Sequence, residues 1–377
     1  MEKQDSRDIA YMRMALDLAK KGEGQTSPNP MVGAIIVKDG IILGKGWHKK
    51  AGLPHAEPEA ISDVRDYHKA ELKGATIYVT LEPCCHTKKR TPPCTNAILK
   101  HGFSRVVVAC LDPNPEVAGN GIKILESAGI ECKVGVLEKE ARELNEVFFK
   151  SMTKRLPYIH LKLAQTLDGK LSTITGDSKW ITDENARKMV HAYRKKYDAV
   201  MVGRKTLNND DPSLNIRFGL DESGKIPFRI VMGSISKMDP LSKIFNDEYT
   251  HKTIIITTGA DYQGAADDVV KFFTDKKIRI VFAKSDENEV VIEDAFAQLK
   301  AIGVHSILVE GGGMLASSIL KKKLADKMTI FVAPKILGDG IGYYDEKLDS
   351  MADALNFDNV AVKNIGSQAM FEIDPRS

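Results

Sequence analysis

A chain of 377 residues is long for a single hydrophobic core, so we expect it to fold as two domains. Its hydrophobic content of 43% and charged content of 28% are ordinary for a soluble globular protein. The formal net charge of +3 is near balance over this length and lacks the basic excess of a nucleic-acid-binding protein, so we expect no nucleic-acid partner.

The cysteines and the apolar segments both indicate a cytoplasmic protein. Five cysteines, an odd number in a large chain, argue against a disulfide framework and for a reducing compartment. Residues 1–5 are largely charged or polar and lack the apolar region of a signal peptide. No apolar run approaches the ~18–20 residues needed to span a bilayer, so we expect no membrane partner.

The chain begins with signals for a helix and a β-hairpin. Apolar residues at a helical period predict a helix over residues 8–20, and the prolines at positions 28 and 30 then break the chain. Two apolar runs at residues 34–37 and 41–43 flank Lys38-Asp39-Gly40, which predicts a hairpin with an Asp-Gly turn. His48 follows the hairpin, either as an ordinary strand-end histidine or as a residue on the substrate side of a site.

Ligands that zinc prefers are concentrated in two short segments of the first half. His55, Cys84 and Cys94 supply one imidazole and two thiolates, which makes three protein ligands. A catalytic zinc keeps its fourth position open for water, whereas a structural zinc has four protein ligands. Glu57 lies two residues after His55, at the position of the general acid/base in the zinc deaminases.

The spacing of these ligands leaves an alternative. Cys84 and Cys94 are further apart than in the compact Pro-Cys-x-x-Cys deaminase pattern, so the insert between them must loop out and return. Cys85 and His86 follow Cys84 directly and could complete a structural site with four ligands. The order of the ligands, with proline before both cysteines, favours the catalytic site.

Local signals predict how these ligands come together. Proline is tolerated only in the first turn of a helix, so Pro58 places His55 and Glu57 at the N-terminal end of one. Residues 75–81 predict a buried strand that ends shortly before Cys84, and Cys94 begins another helix. Two ligands are therefore expected at helix starts and one near the end of a strand.

A second buried strand is predicted over residues 105–111, and it leads into Asp112-Pro113-Asn114-Pro115. Ligands bind beyond the carboxyl ends of strands in open α/β sheets, so Asp112 and Asn114 are candidate substrate contacts. Turn capping by the same two side chains is the alternative. Cys110 and Cys132 lie in apolar strands and are expected to be core thiols.

The second half has the pattern of an α/β domain. A helix predicted over residues 137–155 closes the first domain, residues 1–155, and the second domain spans residues 156–377. It contains a helix capped by Thr182-Asp183 and running to residue 196, and another over residues 289–302. The predicted strands are residues 158–164, 199–203, 228–232, 253–257, 279–283, 306–309 and 329–332. This alternation predicts a largely parallel sheet.

A glycine-rich turn over residues 309–316 joins the strand at 306–309 to a helix predicted over residues 315–323. Glycines there let the backbone approach a phosphate, and the helix N-terminus supplies unpaired N–H groups and a positive dipole. The turn lacks the Gly-x-Gly-x-x-Gly spacing of the dinucleotide-binding fingerprint, so on its own an ordinary tight turn is an equal interpretation.

The first half resembles the deaminase half of the bifunctional riboflavin-biosynthesis deaminase/reductase family, through almost all of residues 1–150. The matching segments are Pro28-Asn29-Pro30-Met31-Val32-Gly33, His55-Ala56-Glu57, Thr80-Leu81-Glu82-Pro83-Cys84, Arg90-Thr91-Pro92-Pro93-Cys94 and Asp112-Pro113-Asn114-Pro115. The resemblance implies a cytidine-deaminase-like α/β/α domain in which His55, Cys84 and Cys94 bind one zinc ion and Glu57 shuttles protons. It also implies substrate contacts at Asn29, His48, His86, Arg90, Asp112 and Asn114.

Two local features depart from the family pattern. Pro58 stands where the family commonly has valine, and the loop at residues 85–93 is one residue longer than usual. The flanking motifs still fix the zinc ligands.

The second half resembles the reductase half of the same family, which is similar to dihydrofolate reductase. The matching segments are Leu161-Lys162-Leu163-Ala164, Leu167-Asp168-Gly169-Lys170, Ser178-Lys179-Trp180-Ile181-Thr182, Thr206, Asp210-Asp211-Pro212 and Val309-Glu310-Gly311-Gly312. The resemblance implies an α/β domain that binds NADPH through Ala164, Trp180, Thr206, Asp210, Ser234, Gly312 and Gly313. It implies reductase substrate contacts at Ser178, Arg194, Leu214, Arg217 and Glu310, with Lys162 as a further candidate.

Two of these residues also have a physical rationale. Arg194 and Arg217 are suited to hold the substrate phosphate, because guanidinium groups form paired hydrogen bonds with phosphate oxygens. The alternative for Arg194 is a solvated helix face, since Lys195 and Lys196 follow it.

The two resemblances together imply consecutive reactions on small-molecule phosphoribosyl pyrimidines. Zinc-assisted hydrolysis deaminates 2,5-diamino-6-(5-phosphoribosylamino)pyrimidin-4-one. A hydride from NADPH then reduces the ribosyl C1′ of 5-amino-6-(5-phosphoribosylamino)uracil and turns ribose into ribitol. A homo-oligomer is expected. The alternatives are a different nucleoside or base deaminase fused to an unrelated reductase, and a zinc-stabilised binding module without catalysis.

Overall fold

The structure is a computed structural model that describes residues 2–86, 92–179, 181–287 and 289–376, apart from the side chains of Glu2, Lys3 and Ser223. The chain divides into two units, Met1–Lys154 and Arg155–Ser377. Among the helices of these described segments, none is both long and apolar enough to cross a bilayer.

A five-stranded sheet forms the centre of the first unit. Its strands are β1 (Gly33–Lys38), β2 (Ile41–Trp47), β3 (Thr76–Val79), β4 (Arg105–Val108) and β5 (Glu131–Val134). They lie in the order β2-β1-β3-β4-β5, with β3, β4 and β5 parallel and β1 antiparallel to both of its neighbours. The predicted hairpin is confirmed as β1 and β2, and Asp39 and Gly40 both have positive φ in its turn.

The helices of the first unit are α1 (Glu2–Ala19), α2 (Ala56–Asp63), α3 (Cys94–His101), α4 (Asn120–Ser127), α5 (Glu138–Leu144) and α6 (Glu146–Thr153). The single helix expected over residues 137–155 is wrong, because Asn145 separates α5 from α6. The buried Asn145 side chain accepts a hydrogen bond from the Met31 N–H (2.8 Å) and donates one to the Met31 carbonyl oxygen (2.9 Å). The break therefore fastens the C-terminal helices to the Pro28-Asn29-Pro30-Met31 segment.

A buried ion cluster joins α1 to strands β3, β4 and β5. Asp8 is fully buried and accepts two hydrogen bonds from the Arg105 guanidinium, at 2.8 and 2.9 Å. Lys133 (2.9 Å) and the Tyr78 hydroxyl (3.0 Å) also donate to it. Burial alone would raise the pKa of Asp8, but these donors outweigh burial and lower the pKa to about 2.

Asp8→Asn is expected to destabilise the first unit by about 3 kcal/mol, because it leaves the guanidinium without its buried partner. The folded pKa is below the ordinary value of ~3.9, so this contribution is present above pH ~4 and is lost as the pH falls toward 2. Scanning calorimetry of the full chain measures it as a lower transition temperature. The matched control is Asp17→Asn, which breaks a solvent-exposed pair with Lys20 and should cost under ~1 kcal/mol. Equal shifts in both variants would contradict the prediction.

A nine-stranded sheet forms the second unit, in the order β10-β9-β8-β7-β13-β6-β14-β16-β15. The strands in this sheet are β6 (Tyr158–Thr166), β7 (Ala199–Gly203), β8 (Phe228–Met232), β9 (Thr253–Thr258), β10 (Arg279–Ala283), β13 (Ser306–Val309), β14 (Lys327–Ala333), β15 (Asn359–Ile365) and β16 (Gln368–Asp374). A separate short hairpin comprises β11 (Ser285–Asp286) and β12 (Glu289–Val290). The sheet is parallel from β10 to β14, which confirms the largely parallel sheet, and β15 and β16 add an antiparallel edge.

The helices of the second unit are α7 (Glu184–Lys196), α8 (Arg204–Asp210), α9 (Gly259–Gly264), α10 (Asp267–Asp275), α11 (Ile292–Ala301) and α12 (Gly313–Lys321). The predicted cap is confirmed, because the Asp183 carboxylate accepts a hydrogen bond from the Ala186 N–H (3.0 Å) at the start of α7. The helix expected from residue 289 begins later, at Ile292, since residues 289 and 290 pair with β11 instead.

Candidate functional site

Three ligand atoms meet in the first unit. The His55 Nδ1 atom lies 3.5 Å from the Cys84 sulfur and 3.3 Å from the Cys94 sulfur. All three ligand atoms lie within 4.8 Å of one another, and both cysteines are buried. One imidazole nitrogen and two thiolates at this separation fit a tetrahedral metal with one open position. Within the described segments, no other histidine, cysteine or carboxylate belongs to such a group.

The positions of the ligands follow from the local sequence. His55 immediately precedes α2 with an extended backbone, and Cys94 is the first residue of α3. Cys84 lies on the segment that leaves β3. Backbone N–H groups of α3 hold it there, because Cys94 N lies 3.4 Å from the Cys84 sulfur and Thr95 N donates to the Cys84 carbonyl oxygen (3.3 Å). The expected placement, with two ligands at helix starts and one after a strand, is confirmed.

Glu57 lies in the first turn of α2 beside this cluster and is only 3% exposed. Burial raises the pKa of its carboxyl above the ordinary value, and the Cys84 thiolate adds to the rise. A cation bound at the cluster would oppose this effect. Burial and a bound cation thus shift the pKa of this carboxyl in opposite directions, and a carboxyl of intermediate pKa is suited to accept and return a proton.

Asn29 and His48 are joined to each other and to the cluster. His48 is buried, its Nε2 lies 3.1 Å from Asn29 Nδ2, and its Nδ1 lies 2.9 Å from the Pro54 carbonyl oxygen. Burial lowers the pKa of His48, so the ring is neutral and one tautomer satisfies both contacts. Nδ1–H donates to Pro54 and Nε2 accepts from the Asn29 amide, which leaves Asn29 Oδ1 as an acceptor. The His48 ring also packs edge-on against the His55 ring, with centroids 5.5 Å apart.

The other deaminase candidates lie on two loops. His86 is partly buried, and its Nδ1 has no hydrogen-bond partner in the described part of the chain. Arg90 lies outside the described residues. Asp112 and Asn114 both cap turns, because the Asn114 N–H donates to Asp112 (2.8 Å) and the Glu116 N–H donates to Asn114 (3.0 Å). These bonds fit the turn-capping alternative.

A buried ion pair is central to the candidate site of the second unit. Arg194 donates from Nε and Nη2 to the two carboxylate oxygens of Glu310, at 2.6 and 2.9 Å. Its Nη1 also donates to the Asn215 carbonyl oxygen (2.8 Å). Both side chains of the pair are only 10% exposed, so the alternative of a solvated helix face is wrong for Arg194. Because the Glu310 carboxylate already offsets the positive charge of Arg194, the exposed Arg217 is better suited to bind a phosphate.

Lys162 interacts electrostatically with this ion pair, which the sequence around it does not indicate. It lies on β6, and burial lowers the pKa of its ammonium group, while Glu310 raises it and Arg194 lowers it further. Burial alone would raise the pKa of Glu310, but Arg194 and Lys162 lower it. An anionic carboxylate thus lies beside an amine of reduced pKa. The pattern of alternating residues along β6 gives no sign of this, because Glu310 is far away in the sequence.

The loop after α8 presents two further candidates. Leu214 is buried and has φ of 51°, a left-handed conformation that is costly for a residue with a side chain. Arg217 is exposed, and its N–H donates to His191 Nδ1 (2.9 Å). Burial and the neighbouring Arg194 lower the pKa of His191 to about 4, so its ring accepts this bond as a neutral group. The loop is therefore held in an unusual shape by a buried histidine.

The glycine turn before α12 is closely packed on both sides. The Gly312 N–H donates to the Thr206 hydroxyl oxygen (3.0 Å), which joins two of the predicted cofactor residues. A Cβ atom on Gly313 would lie 2.2 Å from the Gly342 carbonyl oxygen, so only glycine fits there. This crowding explains the glycine structurally, and the start of α12 retains N–H groups of the kind that bind phosphate.

The remaining cofactor and substrate candidates of the second unit lie on separate segments. The Ser178 hydroxyl donates to Asp210 (3.0 Å), which links a predicted substrate residue to a predicted cofactor residue. The Ser234 hydroxyl donates to Asp261 (2.5 Å). Ala164 lies on β6 and is partly buried against the apolar residues of α7. Trp180 lies outside the described residues.

Residues 335–346, here called the strap, pass over the start of α12. Asp168 holds one end, accepting from the N–H groups of Leu337 (3.1 Å) and Gly338 (2.7 Å). The other end is fixed by the ion pair of Asp345 with Lys321 (2.9 Å). Hydrogen bonds from Thr166 and Gly338 lower the pKa of Asp168 to about 2, so its carboxylate stays ionised. The sequence singles out Asp168 only as part of a motif and does not reveal this role.

Two family models match the chain. The model described as the cytidine and deoxycytidylate deaminase zinc-binding region matches residues 5–110, which contain all three ligands and Glu57. The model of the RibD C-terminal domain matches residues 157–371.

Similar proteins match nearly the whole chain. Riboflavin biosynthesis protein RibD of Aquifex aeolicus is 44% identical over 359 residues, covering 95% of this chain and 96% of that protein. The Escherichia coli protein of the same name is 37% identical and covers 96% and 97%, respectively. A solved structure of Acinetobacter baumannii RibD has a TM-score of 0.87 at 34% identity, covering 98% of this chain and 99% of that one. A diaminohydroxyphosphoribosylaminopyrimidine deaminase/5-amino-6-(5-phosphoribosylamino)uracil reductase from Thermotoga maritima has a TM-score of 0.86 at 35% identity and covers 99% of both chains.

Proposed function

The chain belongs to the riboflavin biosynthesis protein RibD family, and from this premise we propose how its residues carry out the two reactions of that family. The protein is a bifunctional enzyme of riboflavin biosynthesis, with a zinc-binding deaminase domain and a reductase domain that act on phosphoribosyl pyrimidines. A deaminase fused to an unrelated reductase and a non-catalytic zinc module are not favoured, because relatives of both halves match along one chain.

For the deaminase, we propose that His55, Cys84 and Cys94 hold one zinc ion, whose Lewis acidity lowers the pKa of water. The donor set and its 4.8 Å spread support this assignment. Glu57 removes a proton from the attacking water and later delivers it to the departing nitrogen. The water oxygen bonds to the pyrimidine carbon that carries the exocyclic amine, the carbon–nitrogen bond breaks, and ammonia leaves.

The contacts of Asn29 suggest how the deaminase orients its substrate. His48 engages the Asn29 amide through Nδ2, which makes Oδ1 the acceptor that Asn29 offers to an amino group on the ring. His86, Arg90, Asp112 and Asn114 are the further substrate contacts in this proposal. A small heterocycle needs no base flipping, which agrees with a chain of nearly balanced charge.

For the reductase, we propose that NADPH supplies the hydride that reduces the ribosyl C1′. Opening the sugar ring also needs a proton on the ring oxygen, and Lys162 is suited to donate it because burial lowers its pKa. Glu310 keeps the ammonium near the substrate, and Arg194 keeps Glu310 ionised. Arg217 binds the phosphate, while Ser178 and Leu214 contact the substrate.

The cofactor contacts in this proposal are Ala164, Trp180, Thr206, Asp210, Ser234, Gly312 and Gly313. The close approach of Thr206 to Gly312 supports their common role. We also propose a homo-oligomeric, cytoplasmic enzyme with domains at residues 1–155 and 156–377 and with no nucleic-acid or membrane partner. The odd number of cysteines, five in a chain of this length, supports a reducing compartment.

The observation that carries the deaminase assignment is the meeting of His55, Cys84 and Cys94 beside the buried Glu57. We expect the purified protein to release ammonia from 2,5-diamino-6-(5-phosphoribosylamino)pyrimidin-4-one and then to oxidise NADPH in proportion to the product formed. Cytidine, guanine and NADH are assayed in parallel. Turnover of cytidine or guanine alone would overturn the substrate assignment, and equal rates with NADH would overturn the cofactor preference.

A further inference from the structure

Glu82 lies two residues before Cys84 and has an unusual set of partners. The residue is 3% exposed, and its carboxylate accepts hydrogen bonds from backbone N–H groups of a distant segment. Oε2 lies 3.2 Å from Asp112 N and 2.8 Å from Gly119 N. Oε1 lies 2.9 Å from Gly121 N and 3.3 Å from Ile122 N. One carboxylate thus fastens both ends of the loop over residues 112–119 and the first turn of α4.

The neighbouring residues allow this close approach. A Cβ atom on Gly121 would lie 2.3 Å from the Pro83 carbonyl oxygen and 3.1 Å from Glu82 Oε1. Glycine at this position therefore lets α4 lie directly against the segment that carries Glu82. Because α4 is held by the same carboxylate as the loop, a shift of either one would move the other.

The loop held by Glu82 carries Asp112 and Asn114, which themselves cap its turns. The metal ligand Cys84 is held separately, through the backbone N–H groups of Cys94 and Thr95. The Glu82 carboxylate therefore holds the loop and the start of α4, whereas Cys84 is held by hydrogen bonds in which Glu82 takes no part.

We propose that Glu82 is a positioning residue of the deaminase, which holds Asp112 and Asn114 in place against the metal centre. Substrate binding then depends on Glu82, whereas the proton transfers at Glu57 do not. This inference rests on the proposed function, because Asp112 and Asn114 are substrate contacts only within that assignment.

The chemistry of the site explains why a carboxylate is needed. Two ionised oxygens offer about four acceptor sites, which matches the four N–H donors. Glutamine has nearly the same shape, but its NH₂ group would face two backbone N–H donors and leave them without an acceptor. A buried N–H group without an acceptor costs free energy, so we expect the loop over residues 112–119 to move away from residue 82.

The test is Glu82→Gln, assayed in the full-length zinc enzyme for both half-reactions. We expect KM for the diaminopyrimidine substrate to rise about tenfold, which is ~1.4 kcal/mol of binding, with kcat within about threefold of wild type. Zinc content and reductase activity should be unchanged. Glu116→Gln is the matched control, because Glu116 lies on the same loop with an exposed side chain, and it should behave like wild type.

A second variant keeps the proposal testable if Glu82→Gln loses zinc. Gly121→Ala keeps the glutamate at position 82 but pushes α4 away from Pro83 and from the Glu82 carboxylate, and it should raise KM in the same way with zinc retained. An unchanged KM in Glu82→Gln, a fall confined to kcat, or loss of zinc in both variants would overturn the positioning role. Failure of the wild-type protein to deaminate this substrate would instead refute the proposed function.

Discussion

Glu57→Gln is expected to lower the kcat of deamination by roughly 10³-fold, the scale of a lost general acid/base. The amide cannot take a proton from water or return one to the leaving nitrogen. Glu57 lies beside the ligand cluster and is not among its members, so the variant should keep its zinc. Metal analysis and separate assays of the two half-reactions measure the outcome, and reduction of the deaminated intermediate should proceed at the wild-type rate.

Glu59→Gln is the matched control for this variant. Glu59 lies on the same helix two residues further on and pairs with Lys49 near the surface, at 2.5 Å. We expect this control to deaminate normally. If Glu57→Gln released zinc, or if both activities fell together, the role of Glu57 as a proton carrier would be contradicted.

Lys162→Met is expected to lower the kcat of the reductase by about 10²-fold or more, and to leave deamination intact. It removes the proposed proton donor and leaves Arg194 as the main group that lowers the pKa of Glu310. Steady-state oxidation of NADPH with the deaminated intermediate measures the loss. In the wild-type enzyme, kcat should fall as the pH rises through the pKa of Lys162, because only the ammonium form can donate a proton, and burial has moved this pKa below its usual value.

Lys162→Arg separates proton donation from electrostatics. Arginine keeps the positive charge but holds its proton at every pH used for assays. We therefore expect this variant to be as slow as Lys162→Met and to lose the alkaline fall in kcat. Lys188→Met, on the exposed face of α7, controls for removal of a lysine and should be normal. A Lys162→Arg enzyme with wild-type kcat would show that only the charge matters.

Features that depend on neighbours in the chain were predictable from the sequence. The hairpin at Asp39-Gly40 needs only a turn whose two residues accept positive φ, and the cap at Asp183 needs only the N–H groups that follow it. The placement of His55 and Glu57 at the start of α2 followed from Pro58, because proline fits only a first helical turn. Residues whose ligand chemistry is intrinsic, such as His55, Cys84 and Cys94, could be selected by type and order.

Helix and strand limits were less predictable where a distant partner decides them. The break at Asn145 exists because its side chain hydrogen-bonds both backbone groups of Met31, and no local pattern reveals this. Likewise, Glu289–Val290 pairs with β11, and α11 begins only at Ile292. In both cases a tertiary or cross-strand hydrogen bond outweighs local helix propensity.

The sequence by itself determined the two-part α/β organisation and selected the residues that we propose to bind zinc and to move protons near it. Only the tertiary structure decided how the other polar residues are used. It pairs Arg194 with Glu310, sets Lys162 beside them, orients Asn29 through His48, and fastens the Asp112 loop to Glu82. The reason is physical: the type of a residue fixes which bonds it can form, but burial and a partner distant in the chain decide its charge and orientation.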